Sequence, residues 1–197
     1  METNQKTDKI INVSILLIYL LIQVFLAFHH EAWRDESQAW IIAKNSSCAE
    51  ILGLCSSEGH PCLWFFFLKL CQLFGLSFYH ISLMSTFIMT IAAGLFLWKS
   101  PFQTFTKVCV LLSPIFFYYN SVICRVYALL VLLIILLCIY WPYRRSKPIT
   151  YGVIIALLLQ SHILIIGLAI GCLIEILLND RPLLYKRNMI GAWKRYS

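Results

Sequence analysis

Between residues 29 and 40 the chain reads HHEAWRDESQAW, and the adjacent carboxylates of Asp35 and Glu36 are the side chains there best suited to chemistry. A carboxylate takes a proton from an attacking hydroxyl when burial or a neighbour brings its pKa toward the working pH, so this pair could supply a general base. The same two residues are candidate ligands for a divalent cation. The competing explanation is structural, since an Asp at a helix cap and a Glu in the first turn complement the helix dipole.

Arg125, in CRVYALL, is the second candidate. Its planar donor fork suits a phosphate, and Tyr118, Tyr119 and Tyr127 lie close in sequence. An interfacial arginine held in an aromatic belt would need no ligand. His162, in QSHILII, interrupts a long apolar stretch and is either a site residue or part of an outer turn. His60, between Glu58-Gly59 and Pro61, faces the same pocket or water. Glu175 is expected to pair with Arg181.

These groups need elements to place them, and the composition indicates which. The chain is 60% hydrophobic and 13% charged over 197 residues, with a mean hydropathy of +0.79, which points to an all-α polytopic helical membrane protein. The formal charge of +7 is not a nucleic-acid signal. Twelve of the sixteen basic residues fall into four groups between apolar runs: Lys6 and Lys9; Lys99 and Lys107; Arg144, Arg145 and Lys147; and Arg181 through Arg195. The positive-inside rule puts all four in the cytoplasm.

That sidedness predicts about six transmembrane helices, at Ile10–Phe28, His80–Trp98, Val108–Tyr119, Val126–Trp141, Ile149–Ser161 and Ile163–Leu178, with both termini cytoplasmic. Residues 29–77 then form an external loop inside a single transmembrane module covering 1–197. The first span ends at HHEAW without a signal-peptidase-like site and reads as an uncleaved anchor. Pro61–Phe74 is apolar, but at about 14 residues, with Lys69 and Gln72, it reads as an interfacial helix. A second interfacial helix is expected to start at Asp35, with Asp35 and Gln38 forming a capping box. The eight cysteines show no C-x-x-C pair and no zinc spacing, and a disulfide among Cys48, Cys55 and Cys62 is not the favoured reading.

Taken in order, WRDESQAW, GHPCLWFFFLK, LSPIFFYY, CRVYALLVLL and SHILI resemble the amino-terminal module of GT-C membrane glycosyltransferases, the superfamily of protein O-mannosyltransferases and bacterial aminoarabinose transferases. The resemblance covers nearly the whole chain and departs from the family at Cys62, where a second proline is usual. It implies a glycosyltransferase moving a sugar from a polyprenyl-phosphate donor to an acceptor at the outer membrane face, in the plasma membrane of a bacterium. Asp35 takes the role of base, Glu36 that of a metal or acceptor contact, and Arg125 meets the donor phosphate. His60, His162 and Tyr127 join the substrate-binding set.

Family enzymes continue with further spans, which leaves room for a truncated pseudoenzyme or a non-catalytic subunit working with a second membrane subunit. The third reading is a small transporter, for which Arg125, His162 and Glu175 would line the path. No internal repeat supports it. The expected partners are membrane lipid and a lipid-linked sugar, with no nucleic acid.

The topology is open to a direct check. A single cysteine placed at Ser146 should resist an impermeant thiol reagent in intact cells, and labelling from outside would reject the sidedness.

Overall fold

The computed structural model describes residues 2–54 and 61–178. Among these residues every regular element is helical and there is no strand, so the fold is all-α as expected. The helices are α1 (Glu2–Phe28), α2 (Arg34–Asn45), α3 (Cys48–Leu54), α4 (Leu63–Leu73), α5 (Ile81–Lys99), α6 (Thr104–Leu111), α7 (Tyr127–Tyr140), α8 (Pro148–Leu159) and α9 (Ile165–Leu178). Residues up to His162 form one compact unit, and α9 lies in a second that begins at Ile163. Two helical segments, Lys6–Phe28 and Phe78–Lys99, are long and apolar enough to cross a membrane; α4, α7 with its following turn, α8 and α9 are shorter apolar helices.

α5 is the central helix of the first unit. Its face carrying Ala93 and Leu97 packs with Tyr19 of α1 and Leu111 of α6. The face carrying Met84, Ile88 and Ala92 packs with Trp40 and Ala43 of α2, Trp64 and Leu68 of α4, and Ala128 of α7. Small residues at 92, 93 and 128, all fully buried, let these helices approach closely. α1 keeps a broad apolar surface outward at Leu17, Leu21 and Phe25, while Gln23 is turned fully inward.

α4 forms where Pro61–Phe74 predicts a short helix, but its polar residues do not point to water. The Lys69 ammonium donates to the carbonyls of Ala43 (3.0 Å) and Ser46 (2.7 Å), and the Gln72 amide donates to the Trp40 carbonyl (3.1 Å). These bonds satisfy carbonyls that the end of α2 would leave unmatched, and they place a cation at its negative pole. Gly75, at φ +84°, ends α4, with the Leu76 N–H returning to the Cys71 carbonyl (3.1 Å). That left-handed helix stop suits glycine.

Two local expectations are corrected. The span expected at Val108–Tyr119 is not one helix: α6 stops at Leu111, and a single π-helical turn covers Ile115–Tyr119. Pro114 lacks an N–H and crowds the preceding turn, and the Ser113 hydroxyl donates instead to the Val110 carbonyl (2.7 Å). The capping box expected from Asp35 and Gln38 does not form. The helix starts one residue earlier, at Arg34, with Trp33 at the cap, so the third helical residue is Glu36, whose carboxylate accepts the Trp33 N–H (2.7 Å). A capping box does occur at α3, between Ser47 and Glu50, with the Ser47 N–H donating to Glu50 (2.6 Å) and the Glu50 N–H to the Ser47 hydroxyl (3.3 Å). The Ser47 backbone and hydroxyl hold the Glu50 carboxyl below its ordinary pKa.

Cys62 is disulfide-bonded, against the reading that left the loop cysteines reduced. The six other cysteines among the described residues are free.

Lys69→Met keeps the aliphatic stem and removes both charge-assisted bonds to the α2 terminus. Each such bond contributes about 1.5 to 3 kcal/mol. We expect a clear fall in the thermal midpoint of the purified protein; an unchanged midpoint would show that the α2–α4 clasp contributes little.

Candidate active site

Residues 120–126, NSVICRV, follow the π-helical turn as buried, irregular backbone; every residue is buried except Arg125, which is half-buried. Such a segment must find partners for its peptide groups away from water. α5 supplies the Thr86 hydroxyl, which donates to the Ser121 carbonyl (3.0 Å). α1 supplies Tyr19, whose hydroxyl lies 2.7 Å from both the Ser121 hydroxyl and the Phe116 carbonyl. The third partner is Glu36.

Glu36 is fully buried. One carboxylate oxygen accepts the Cys124 N–H (2.5 Å); the other accepts the Trp33 N–H (2.7 Å) and His30 Nε2 (2.9 Å). Three N–H donors converging on one side chain suit an acceptor-only carboxylate. His30 donates to the carboxylate through Nε2, and its Nδ1 lies 3.3 Å from the Tyr118 hydroxyl. Burial pushes the Cys124 thiol well above its ordinary pKa, with the Ser85 hydroxyl opposing that rise and Glu36 adding to it, so this cysteine packs as a neutral thiol.

Each partner in the Glu36–Cys124 bond has a neighbour in sequence at the surface. Asp35 precedes Glu36 and Arg125 follows Cys124, and their side chains meet with Arg125 Nη1 3.0 Å from Asp35 Oδ2. The aspartate is 54% exposed and the arginine 31%, so solvent reaches the acid more readily than the base. The guanidinium also lies over the Tyr127 ring, 5.3 Å from its centre, and that ring packs on the His162 imidazole at 5.6 Å.

Asp35, Arg125, Tyr127 and Ser161 line a cavity of about 190 Å³, closed on other sides by Gln38, Pro61, Trp64 and Phe65. Arg125 and Tyr127 also line a second cavity, of about 350 Å³, whose remaining walls include Trp33, Ile115, Tyr119, Ile123 and Leu130. The arginine is thus a shared wall between a chamber holding a carboxylate and a largely apolar slot. Candidates 35, 125 and 127 come together, and His162 packs against Tyr127. His60, Glu58 and Arg181 lie outside the described residues.

Glu36 does not fit the expected metal or acceptor contact, because both its oxygens are occupied by protein donors. Asp35 is engaged by Arg125, and no cluster of three or more His, Cys, Asp or Glu able to hold a metal occurs among the described residues. The donor set around residues 35 and 36 therefore does not suit a cation. Sequence reasoning set Tyr118 beside Arg125 and gave His30 no role; His30 in fact bonds Glu36 and meets Tyr118, 88 residues away, a contact that no local spacing reveals.

No family model matches the chain, and neither a curated protein nor a solved structure matches it.

The two adjacent acids should separate sharply by stability. Glu36→Ala strands three donors in a buried site and should cost on the order of 3 to 5 kcal/mol. Asp35→Ala breaks a solvent-reached pair and should cost less than about 1 kcal/mol. Thermal unfolding of both variants in one detergent measures the difference; equal, small losses would contradict the assigned division.

Proposed function

We propose that this protein is a multi-pass membrane glycosyltransferase, or the amino-terminal portion of one, that moves a sugar from a polyprenyl-phosphate donor to an acceptor hydroxyl at the outer membrane face. The observation that carries the reading is the Asp35–Arg125 pair at the meeting of the two cavities. A carboxylate able to take a proton stands beside a guanidinium able to hold phosphate, and the apolar slot behind the guanidinium matches a prenyl chain in character.

In this reading the acceptor hydroxyl occupies the smaller cavity. Its oxygen forms a bond to the anomeric carbon as its proton passes to Asp35, and the bond from that carbon to the phosphate oxygen breaks. The electron pair leaves with the polyprenyl phosphate, whose charge Arg125 meets. Tyr127 holds the guanidinium plane from one face. Glu36 acts only through position, by fixing the backbone on both sides of the pair.

The membrane setting is part of the proposal: six crossings, with the third interrupted at Pro114, both termini in the cytoplasm and residues 29–77 outside, in the plasma membrane of a bacterium. The two long apolar helices, the shorter apolar helices α7, α8 and α9 and the grouping of basic residues support it. The Cys62 disulfide supports an oxidising side for that loop.

The test is transfer by the purified protein from a panel of polyprenyl-phosphate sugars, read as release of polyprenyl phosphate. Asp35→Asn should lower the rate by about 10² to 10⁴ with the fold intact. Arg125→Lys keeps the charge, loses the planar fork, and should weaken donor binding. Full turnover by Asp35→Asn would reject the base assignment, and activity appearing only with a second chain would make this protein a subunit.

A further inference from the structure

We infer that Asp35 controls donor binding as well as acceptor activation: the donor phosphate takes Arg125 away from Asp35, and only then is the carboxylate released toward the acceptor. The inference rests on the proposed phosphate role of Arg125 and concerns the order of events at that site.

The resting geometry sets the problem. Asp35 Oδ2 lies 3.0 Å from Arg125 Nη1, so the carboxylate that should receive a proton is turned onto a cation. One face of the guanidinium is covered by Tyr127. A phosphate approaching the remaining edge brings a second anion against Asp35, and two anions in contact on one guanidinium repel. The phosphate carries more oxygen acceptors and can engage the fork through two parallel bonds, whereas the Asp35 contact uses a single Nη1–Oδ2 approach. Both backbones are held through Glu36, and the Asp35 side chain, the more exposed of the two, has solvent to turn into.

Two consequences follow for the reaction. Released from Arg125, the Asp35 carboxylate can turn its lone pairs to the smaller cavity that it already lines. A carboxylate beside a phosphate anion also accepts a proton more readily than one beside a cation. Donor binding therefore precedes and enables acceptor activation, and the base is held idle while no donor is present.

This makes an unusual demand on one variant. Asp35→Asn removes the competing anion and should bind the donor lipid more tightly even though it transfers the sugar far more slowly. The pair is partly exposed, and such pairs are weak, so the expected gain is about two- to fivefold. The probes are a polyprenyl monophosphate, the matching polyprenol and inorganic phosphate, titrated against full-length wild type, Asp35→Asn, Asp35→Ala and Arg125→Ala in one detergent, with folding checked by thermal unfolding.

Tighter binding of polyprenyl monophosphate by both Asp35 variants, with unchanged polyprenol binding, supports the exchange. A parallel gain for inorganic phosphate would locate the competition at the phosphate rather than along the chain, and would support it equally. If Arg125→Ala weakens the phosphate lipid but the Asp35 variants bind like wild type or worse, the exchange is overturned and the donor site stands. If Arg125→Ala binds the phosphate lipid as wild type does, the donor site itself falls and the exchange with it.

Discussion

A single buried carboxylate organises the part of the molecule where function is proposed. Glu36 ties the start of α2 to its own cap at Trp33, to His30 in the preceding turn and to the backbone of Cys124. Burying a charge this completely is tolerated only because each hydrogen bond is in place. The consequence is geometric. With residues 36 and 124 locked together inside, residues 35 and 125 face one another at the surface, and both adopt positions that neither could define alone.

The segment held by Glu36 follows directly on a break in the preceding helix. Pro114 ends α6, the π-helical turn redirects the chain, and the freed peptide groups are taken up by Tyr19, Thr86 and Glu36. Irregular backbone away from water is acceptable where its peptide groups find protein partners. It also puts an arginine at the start of α7, where its neighbour is pinned and its side chain reaches two cavities.

Much of this fold is legible in the sequence because the signal is apolar length. α5, α7, α8 and α9 each appear close to the expected bounds, while α1 ends at Phe28 as expected but starts eight residues earlier, at Glu2. α4 was legible by its shortness, although Lys69 and Gln72 serve α2 rather than water. The misplaced cap shows where local pattern fails: an Asp three residues before a Gln fits a capping box, but the buried contact to Cys124 favours Glu36 at the third helical position. In the site, the sequence singles out Asp35, Arg125 and Tyr127 as separate candidates. Their meeting depends on contacts between residues far apart in the chain, as does the contact of His30 with Tyr118, and no spacing rule reaches that far. The Cys62 bond was missed for a similar reason, since pairing depends on approach and not on count.

The central claim is that the inner carboxylate sets the distance between the outer pair. It can be measured directly by replacing Asp35 and Arg125 with cysteines and following closure by a short bifunctional thiol reagent, with Glu36 retained or changed to Ala. Efficient closure with Glu36 and a large loss without it, in protein that remains folded, is the result this account predicts. Closure that proceeds equally well in both would show that residues 35 and 125 meet without Glu36, and would contradict it.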